Sequence, residues 1–166
     1  VEGKGLLECI SIVKKANLIL TDLGDSDLFR LTIIGSGRLA DKIPTSQESL
    51  EIVYMGELEQ PAVIRAMYES DILIQAYSQP EGLTTVTLEG LATGLLIVST
   101  PLSGGEILEV CENYIPGKLE DLPSLLLLSR DIPKSRNELL ASCKGFIESG
   151  FTWDVIAHKL IDRNYS

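Results

Sequence analysis

In KGLLECISIVKKANLIL, apolar residues return at helical spacing: Leu6, Leu7, Ile10, Val13 and Leu18, with Lys14 and Lys15 late in the run. The pattern predicts a helix over about residues 5–17, closed by the turn-rich TDLGDSD. LFRLTIIGSG then changes period. Apolar, β-branched residues run into two glycines, as in a buried strand that ends in a tight loop. SLEIVYMG (Ser49–Gly56), DILIQAYS and LLIVST give three further short strands. Between them, QPAVIRAMYESD reads as a helix with Pro61 in its first turn. LTTVTLEGLATG reads as a helix that stops at Gly94. After the turn PLSGGE, a helix of one or two turns is expected around Glu106–Cys111. SLLLLSRD and RNELLASCKGFIESG carry helical patterns, and TWDVIAHKLIDRNY predicts a terminal helix beginning near Ser149 or Thr152. RLADKIPTSQES is expected to be an exposed loop.

Short apolar strands alternating with helices predict an α/β domain with a parallel sheet and helices on both faces. Such a sheet binds ligands beyond the C-terminal ends of its strands. The conspicuous glycines and polar residues fall there: Gly35–Gly37, Gly56 and Glu57, Ser78–Thr85, and Thr100–Glu106.

Length and composition narrow the picture. The 166 residues suffice for one domain with a real core, and a 45% hydrophobic content excludes an acidic disordered chain. A net charge of -10 argues against a nucleic-acid surface and against avid binding to an anionic membrane. Cys9, Cys111 and Cys143 form no CxxC and no metal spacing, so reduced, mostly buried thiols of a cytoplasmic protein are expected. LPSLLLL is too short to span a bilayer.

The chemistry centres on SQPEGLTTVTLEGLA, where Glu81 and Glu89 bracket a loop of glycine and threonines. A loop that enters a helix aims free backbone N–H groups at whatever lies before it, and a phosphate fits. A carboxylate beside a phosphate is repulsive, so Glu89 is better placed to accept hydrogen bonds from sugar hydroxyls. A ligand with both phosphates and sugar hydroxyls answers the pattern; equally, Glu89 could simply support its helix. GSG at Gly35–Gly37 is a fragment of a nucleotide-binding fingerprint, as common in ordinary turns. SGGE at Ser103–Glu106 could approach a sugar or phosphate, or only open a helix. Lys4 could neutralise a diphosphate or be a solvated charge. His158, the only histidine, lies far along the terminal helix, and Trp153 there suits packing. No zinc cluster or Ser/His/Asp arrangement is evident.

Taken in order, the segments resemble the C-terminal, donor-binding domain of retaining glycosyltransferases with the two-Rossmann (GT-B) architecture, in particular the large family four. The resemblance rests on KGLLECI, LTIIGSG, IVYMGEL, MYESDILIQAY, EGLTTVTLEGLATGLLIVST and FTWDVIAHKLIDRNY, and covers almost the whole chain. It implies a Rossmann-like three-layer α/β/α domain over residues 1–166 that binds a nucleotide sugar, with its first strand and the N-terminal acceptor domain outside this sequence. The implied reaction moves a sugar from a nucleotide diphosphate sugar, UDP- or GDP-linked, to an acceptor hydroxyl with retention, aided by stabilising the departing diphosphate and needing no metal or other cofactor. By resemblance, Glu81 contacts the donor sugar near its reacting end and Lys4 the diphosphate. Gly82, Leu83, Thr84 and Thr85 offer backbone amides, and Glu89 holds the ribose. Gly35–Gly37, Glu57 and Leu58 border the base, and Gly104 and Gly105 form the family's glycine turn.

Two departures stand out. The family's Glu-Gly-Phe-Gly is Glu81-Gly82-Leu83-Thr84 here, so a side chain stands where glycine brings the backbone closest to the ligand. The glycine turn is followed by both Glu106 and Glu109, which leaves its register open by one. An alternative reading is a non-catalytic nucleotide-sugar binding or regulatory module; another is a different phosphate-recognising α/β domain. Alone, this half is expected to bind donor weakly and to catalyse poorly or not at all. A sheet edge or apolar helix face exposed by the missing strand would favour dimerisation. The family context implies a cytoplasmic enzyme that touches a membrane, if at all, through the absent half.

Overall fold

A computed structural model describes residues 5–44, 49–79, 81–102, 108 and 111–150. Its elements run α1 (Leu6–Asp22), β1 (Arg30–Ile33), β2 (Glu51–Tyr54), α2 (Gln60–Tyr68), β3 (Ile72–Gln75), α3 (Thr85–Ala92), β4 (Leu96–Ser99), β5 (Tyr114–Pro116), α4 (Leu122–Ser129) and α5 (Arg136–Gly150). Within the expected exposed loop after β1 there is a 3-10 turn at Ala40–Lys42.

α1 is longer than the apolar pattern implied because its buried stripe continues through Ala16, Asn17 and Leu20. Asn17 is the reason a polar residue can sit there. Its Nδ2 donates to the carbonyls of Phe29 (2.8 Å) and Ser49 (2.7 Å), and its Oδ1 accepts from the Phe29 N–H (2.8 Å). One carboxamide thus fastens the end of α1 to the segments that lead into β1 and β2. The helix closes in a Schellman turn, with Gly24 N–H on the Thr21 carbonyl and Asp25 N–H on that of Leu20, both 2.9 Å.

The strands pair in parallel, β1 with β2 and β3 with β4 with β5. β5 is absent from the sequence reading. It is three residues long, and Asn113 before it and Pro116 at its end look like turn chemistry. As the last strand of its ladder it tolerates the proline. Among the described residues no ladder joins β1 to β3, so the sheet is in two hydrogen-bonded parts.

Helices cover both faces, which makes the domain a Rossmann-like three-layer α/β/α sandwich. On one side α1 and α4 bring Ile12, Val13, Leu122 and Leu126 against Leu31, Leu50, Ala76 and Val98. On the other, Met67 of α2, Leu91 of α3 and Cys143 of α5 pack with Leu95 and Ile97. Cys9, Cys111 and Cys143 are free and buried, as expected. Burial pushes the thiols of Cys9 and Cys111 up to about 11. The first residue of α5, Arg136, donates to the carbonyls of Met67 (3.3 Å), Thr93 (3.0 Å) and Ser70, at the ends of α2 and α3, where a cation is favoured. Apart from Leu108 and Cys111, the expected helix at Glu106–Cys111 lies outside the described residues, as does the terminal helix beyond residue 150.

Candidate functional site

The loops after β1 and β2 are built as one unit. The Gly35 N–H donates to the Gly56 carbonyl (2.6 Å), prolonging the β1–β2 ladder, and the Tyr54 hydroxyl donates to the Gly35 carbonyl (3.0 Å). The Ser36 hydroxyl donates to Glu57 Oε2 (3.0 Å). Gly35, Gly37, Glu57 and Leu58, together with Tyr77 beyond β3, line one cavity of about 1230 Å³.

The second part of the site is the Glu81–Thr85 loop and α3. Thr84 is the N-cap, in extended conformation with φ -91° and ψ 153°, and its side chain accepts from the Thr87 N–H at 3.3 Å. That conformation does not require glycine. Its Oγ1 lies 2.8 Å from the Thr87 hydroxyl and 3.4 Å from Gln75 Nε2. Thr87 in turn donates to Gln75 Oε1 (2.9 Å), and Gln75 Nε2 donates to the Tyr77 hydroxyl (2.9 Å). Tyr77 is held from its other end, where its N–H donates to Thr100 Oγ1 (3.0 Å). The Thr84 side chain is therefore turned down into a buried polar cluster, tied to β3, rather than up into the crevice. Burial raises the Tyr77 phenol above its ordinary value, and the nearby Glu81 carboxylate adds to the rise.

Among the described residues, no backbone acceptor takes the N–H groups of Thr84, Thr85 or Val86. They are the free amides of a helix start, with the positive end of the helix dipole behind them. Glu89, half-buried one turn further on, accepts from Gln60 Nε2 at 3.4 Å. That contact places the start of α2 beside α3, so the C-terminal ends of β2 and β3 open on the same side of the sheet.

The structure thus joins Gly35 and Gly37 with Glu57 and Leu58, joins Gly82, Leu83, Thr84 and Thr85 with Glu81 and Glu89 on one loop and helix, and links the two groups through Gln60. Lys4, Gly104, Gly105, Trp153 and His158 lie outside the described residues. Sequence reasoning missed Gln60, Gln75 and Thr87. Gln75 left a signal as the one polar residue inside the run ILIQA. Among the described residues, no three His, Cys, Asp or Glu side chains gather as a metal ion would need. No described helix is long and apolar enough to cross a membrane.

The profile of the family "Glycosyl transferases group 1" matches residues 6–126. The chain belongs to this family. Solved structures agree on the fold of the group 1 transferase domain. Anabaena Alr3699/HepE, crystallised with UDP, is 12% identical, with a TM-score of 0.60 over 93% of this chain and 54% of that one. The same protein with UDP and glucose gives 13% identity, a TM-score of 0.61, and coverage of 95% and 54%. A glycosyltransferase from Rickettsia africae ESF-5 is 17% identical, with a TM-score of 0.67 over 98% of this chain and 44% of that one. The group 1 chain spans about half the length of these proteins. No curated protein sequence matches it.

Proposed function

We propose that this domain is the donor-binding half of a retaining glycosyltransferase, holding a nucleotide diphosphate sugar while a hydroxyl acceptor is brought by the other half. The observation that carries the reading is the start of α3, with open amides at Thr84–Val86 between Glu81 and Glu89. The amides and helix dipole suit the diphosphate, Glu89 suits a ribose diol, and Glu81, on the loop that leads into α3, would contact the sugar. The glycine loops at Gly35–Gly37 and Glu57–Leu58 offer a wall for the base. Lys4 would add positive charge to the leaving group. UDP in the HepE crystals supports a uridine donor. The inward turn of Thr84 supports this reading over a lapsed, purely regulatory site, since it leaves the approach to the amides clear. The reading carries with it a cytoplasmic location and weak activity of this half by itself.

The test is an NMR titration of the 15N-labelled chain with UDP, GDP, ADP and their common sugar conjugates. Half a site should bind at about millimolar strength, roughly -4 kcal/mol. Saturable shifts for one base, centred on residues 81–89, are expected; no saturable shift with any of the nucleotides in a folded sample overturns the proposal.

A further inference from the structure

We propose that the Tyr77 hydroxyl is a fixed hydrogen-bond donor to the diphosphate of the nucleotide sugar, beside the open amides of α3; this rests on the proposed donor site. The hydrogens of the buried cluster beneath the loop point to it. A hydroxyl donates once and has two lone pairs, a carboxamide nitrogen donates twice, and a carboxamide oxygen only accepts. Gln75 Oε1 takes the Thr87 hydroxyl proton at 2.9 Å. The Thr87 oxygen, 2.8 Å from that of Thr84, must then receive the Thr84 proton. Thr84 Oγ1 in turn accepts from the Thr87 N–H (3.3 Å) and from Gln75 Nε2 (3.4 Å), which occupies both of its lone pairs. The second Nε2 hydrogen goes to the Tyr77 oxygen at 2.9 Å.

One hydrogen is left over, that of the Tyr77 hydroxyl. The Thr84 hydroxyl is close by but has no lone pair to spare, and among the described residues no other hydrogen bond takes the proton. Turning the Gln75 carboxamide over would absorb it at Oε1. Only one of the two Nε2 hydrogens would then be bonded, at a side chain 5% exposed, whereas the observed orientation bonds both.

Position gives the remaining proton a use. Tyr77 is half-buried and lines the cavity shared by Gly35, Glu57 and Leu58. Its ring, like Leu83 and Val86, packs against the layer that holds Met67 and Leu91. The phenol and the Thr84 hydroxyl hang on one nitrogen, so the Tyr77 oxygen sits at the amide end of α3. Burial first, and then the Glu81 carboxylate, raise the phenol above its ordinary value, so it stays protonated. A phosphate oxygen only accepts, and it meets here a neutral donor whose oxygen is already held by Gln75 and whose backbone is held by Thr100. A group ordered before the ligand arrives loses little freedom on binding it.

The test is NMR of the 166-residue chain carrying 13C at tyrosine Cζ, titrated with UDP, GDP and inorganic pyrophosphate. Cζ reports the hydrogen bonding of its own hydroxyl, which separates contact with the ligand from support of the loop. Tyr77→Phe keeps the ring and identifies the Tyr77 resonance among the five tyrosines; if that variant does not fold, the resonance is assigned through the residue's own backbone amide. With the nucleotide that binds, the Tyr77 Cζ resonance should move more than those of the other tyrosines and saturate together with the amides of residues 84–86. Pyrophosphate should move it in the same direction, and Tyr77→Phe should weaken the nucleotide by about tenfold. Nucleotide binding that leaves the Tyr77 Cζ in place, or that Tyr77→Phe leaves unchanged, overturns the proposal and spares the donor site. A response to the nucleotide but not to pyrophosphate puts the hydroxyl on the base or a sugar and also overturns it. If no nucleotide binds the wild-type chain, the donor site fails and the proposal with it.

Discussion

Gly5 and Gly24 allow a contact to be separated from a backbone effect. Both hold left-handed backbone, with φ 72° and 77°. An added Cβ at Gly24 meets nothing within 4 Å, whereas at Gly5 it meets Ala76 O at 1.8 Å and Ala76 C at 2.5 Å. Alanine at either position suffers left-handed strain of about 1–2 kcal/mol. The loss of glycine's freedom in the unfolded chain is shared by both variants and cancels in their difference. At Gly5 the overlap is with backbone and cannot be relieved by a rotamer change, so α1 must lift from β3, which adds about 1–3 kcal/mol of overpacking. Gly24→Ala should therefore cost about 1 kcal/mol and Gly5→Ala about 2–4 kcal/mol. Urea unfolding followed by far-UV circular dichroism measures both, with the slope unchanged so that the midpoints report stability. A difference below about 0.5 kcal/mol, smaller than even the low end of the overpacking range, would refute the seating of α1 on Ala76.

Thr84→Val keeps the shape but removes the cap and a half-buried, hydrogen-bonded hydroxyl, and should cost about 1–2 kcal/mol in the same assay, whereas Thr84→Ser should cost less than about 1 kcal/mol. Glu89→Ala should weaken the binding nucleotide and its sugar conjugate alike, and Glu81→Ala the conjugate more than the nucleotide; calorimetry or NMR shows which, and equal losses for Glu81→Ala would remove its sugar contact. The Asp25 carboxyl is held below its ordinary 3.8 first by the Asp27 N–H and then by Arg130. Its stabilisation is present above that value and is lost as the pH falls through the lower folded one; Asp25→Asn should flatten the acid limb of a stability–pH curve, leaving the part due to Glu138, which is lowered likewise by Ser135. Cys9 and Cys111, raised by burial, should resist iodoacetamide at pH 8 in the native chain and react on unfolding, as mass spectrometry would count.

Much of the architecture is legible because period and glycine placement are strong signals here. β4 shows as an unbroken apolar run and α1 as a long stripe, and both pack as their patterns require. The missed features are those that depend on tertiary partners. Asn17 reads as a polar interruption until Phe29 and Ser49 are seen to occupy all its hydrogen-bonding groups. Thr84 reads as an obstruction above the ligand, because nothing in the sequence says that Gln75, nine residues earlier, would draw its hydroxyl downward. The loops carrying Gly35–Gly37 and Glu81–Glu89 could be nominated from their residue types. Their meeting through Gln60 could not, since a glutamine at a helix start is ordinary.

Arg136 gives α5 an importance out of proportion to its distance from the crevice. One guanidinium gathers the carbonyls of Met67, Ser70 and Thr93, and its carbon stem presses against Gly94. Detachment of α5 would therefore free the trailing ends of α2 and α3 in a single event. Those are the helices whose leading ends carry Gln60 and the Thr84–Val86 amides. A fluctuation that begins at the far side of the molecule would thus loosen both walls of the crevice at once.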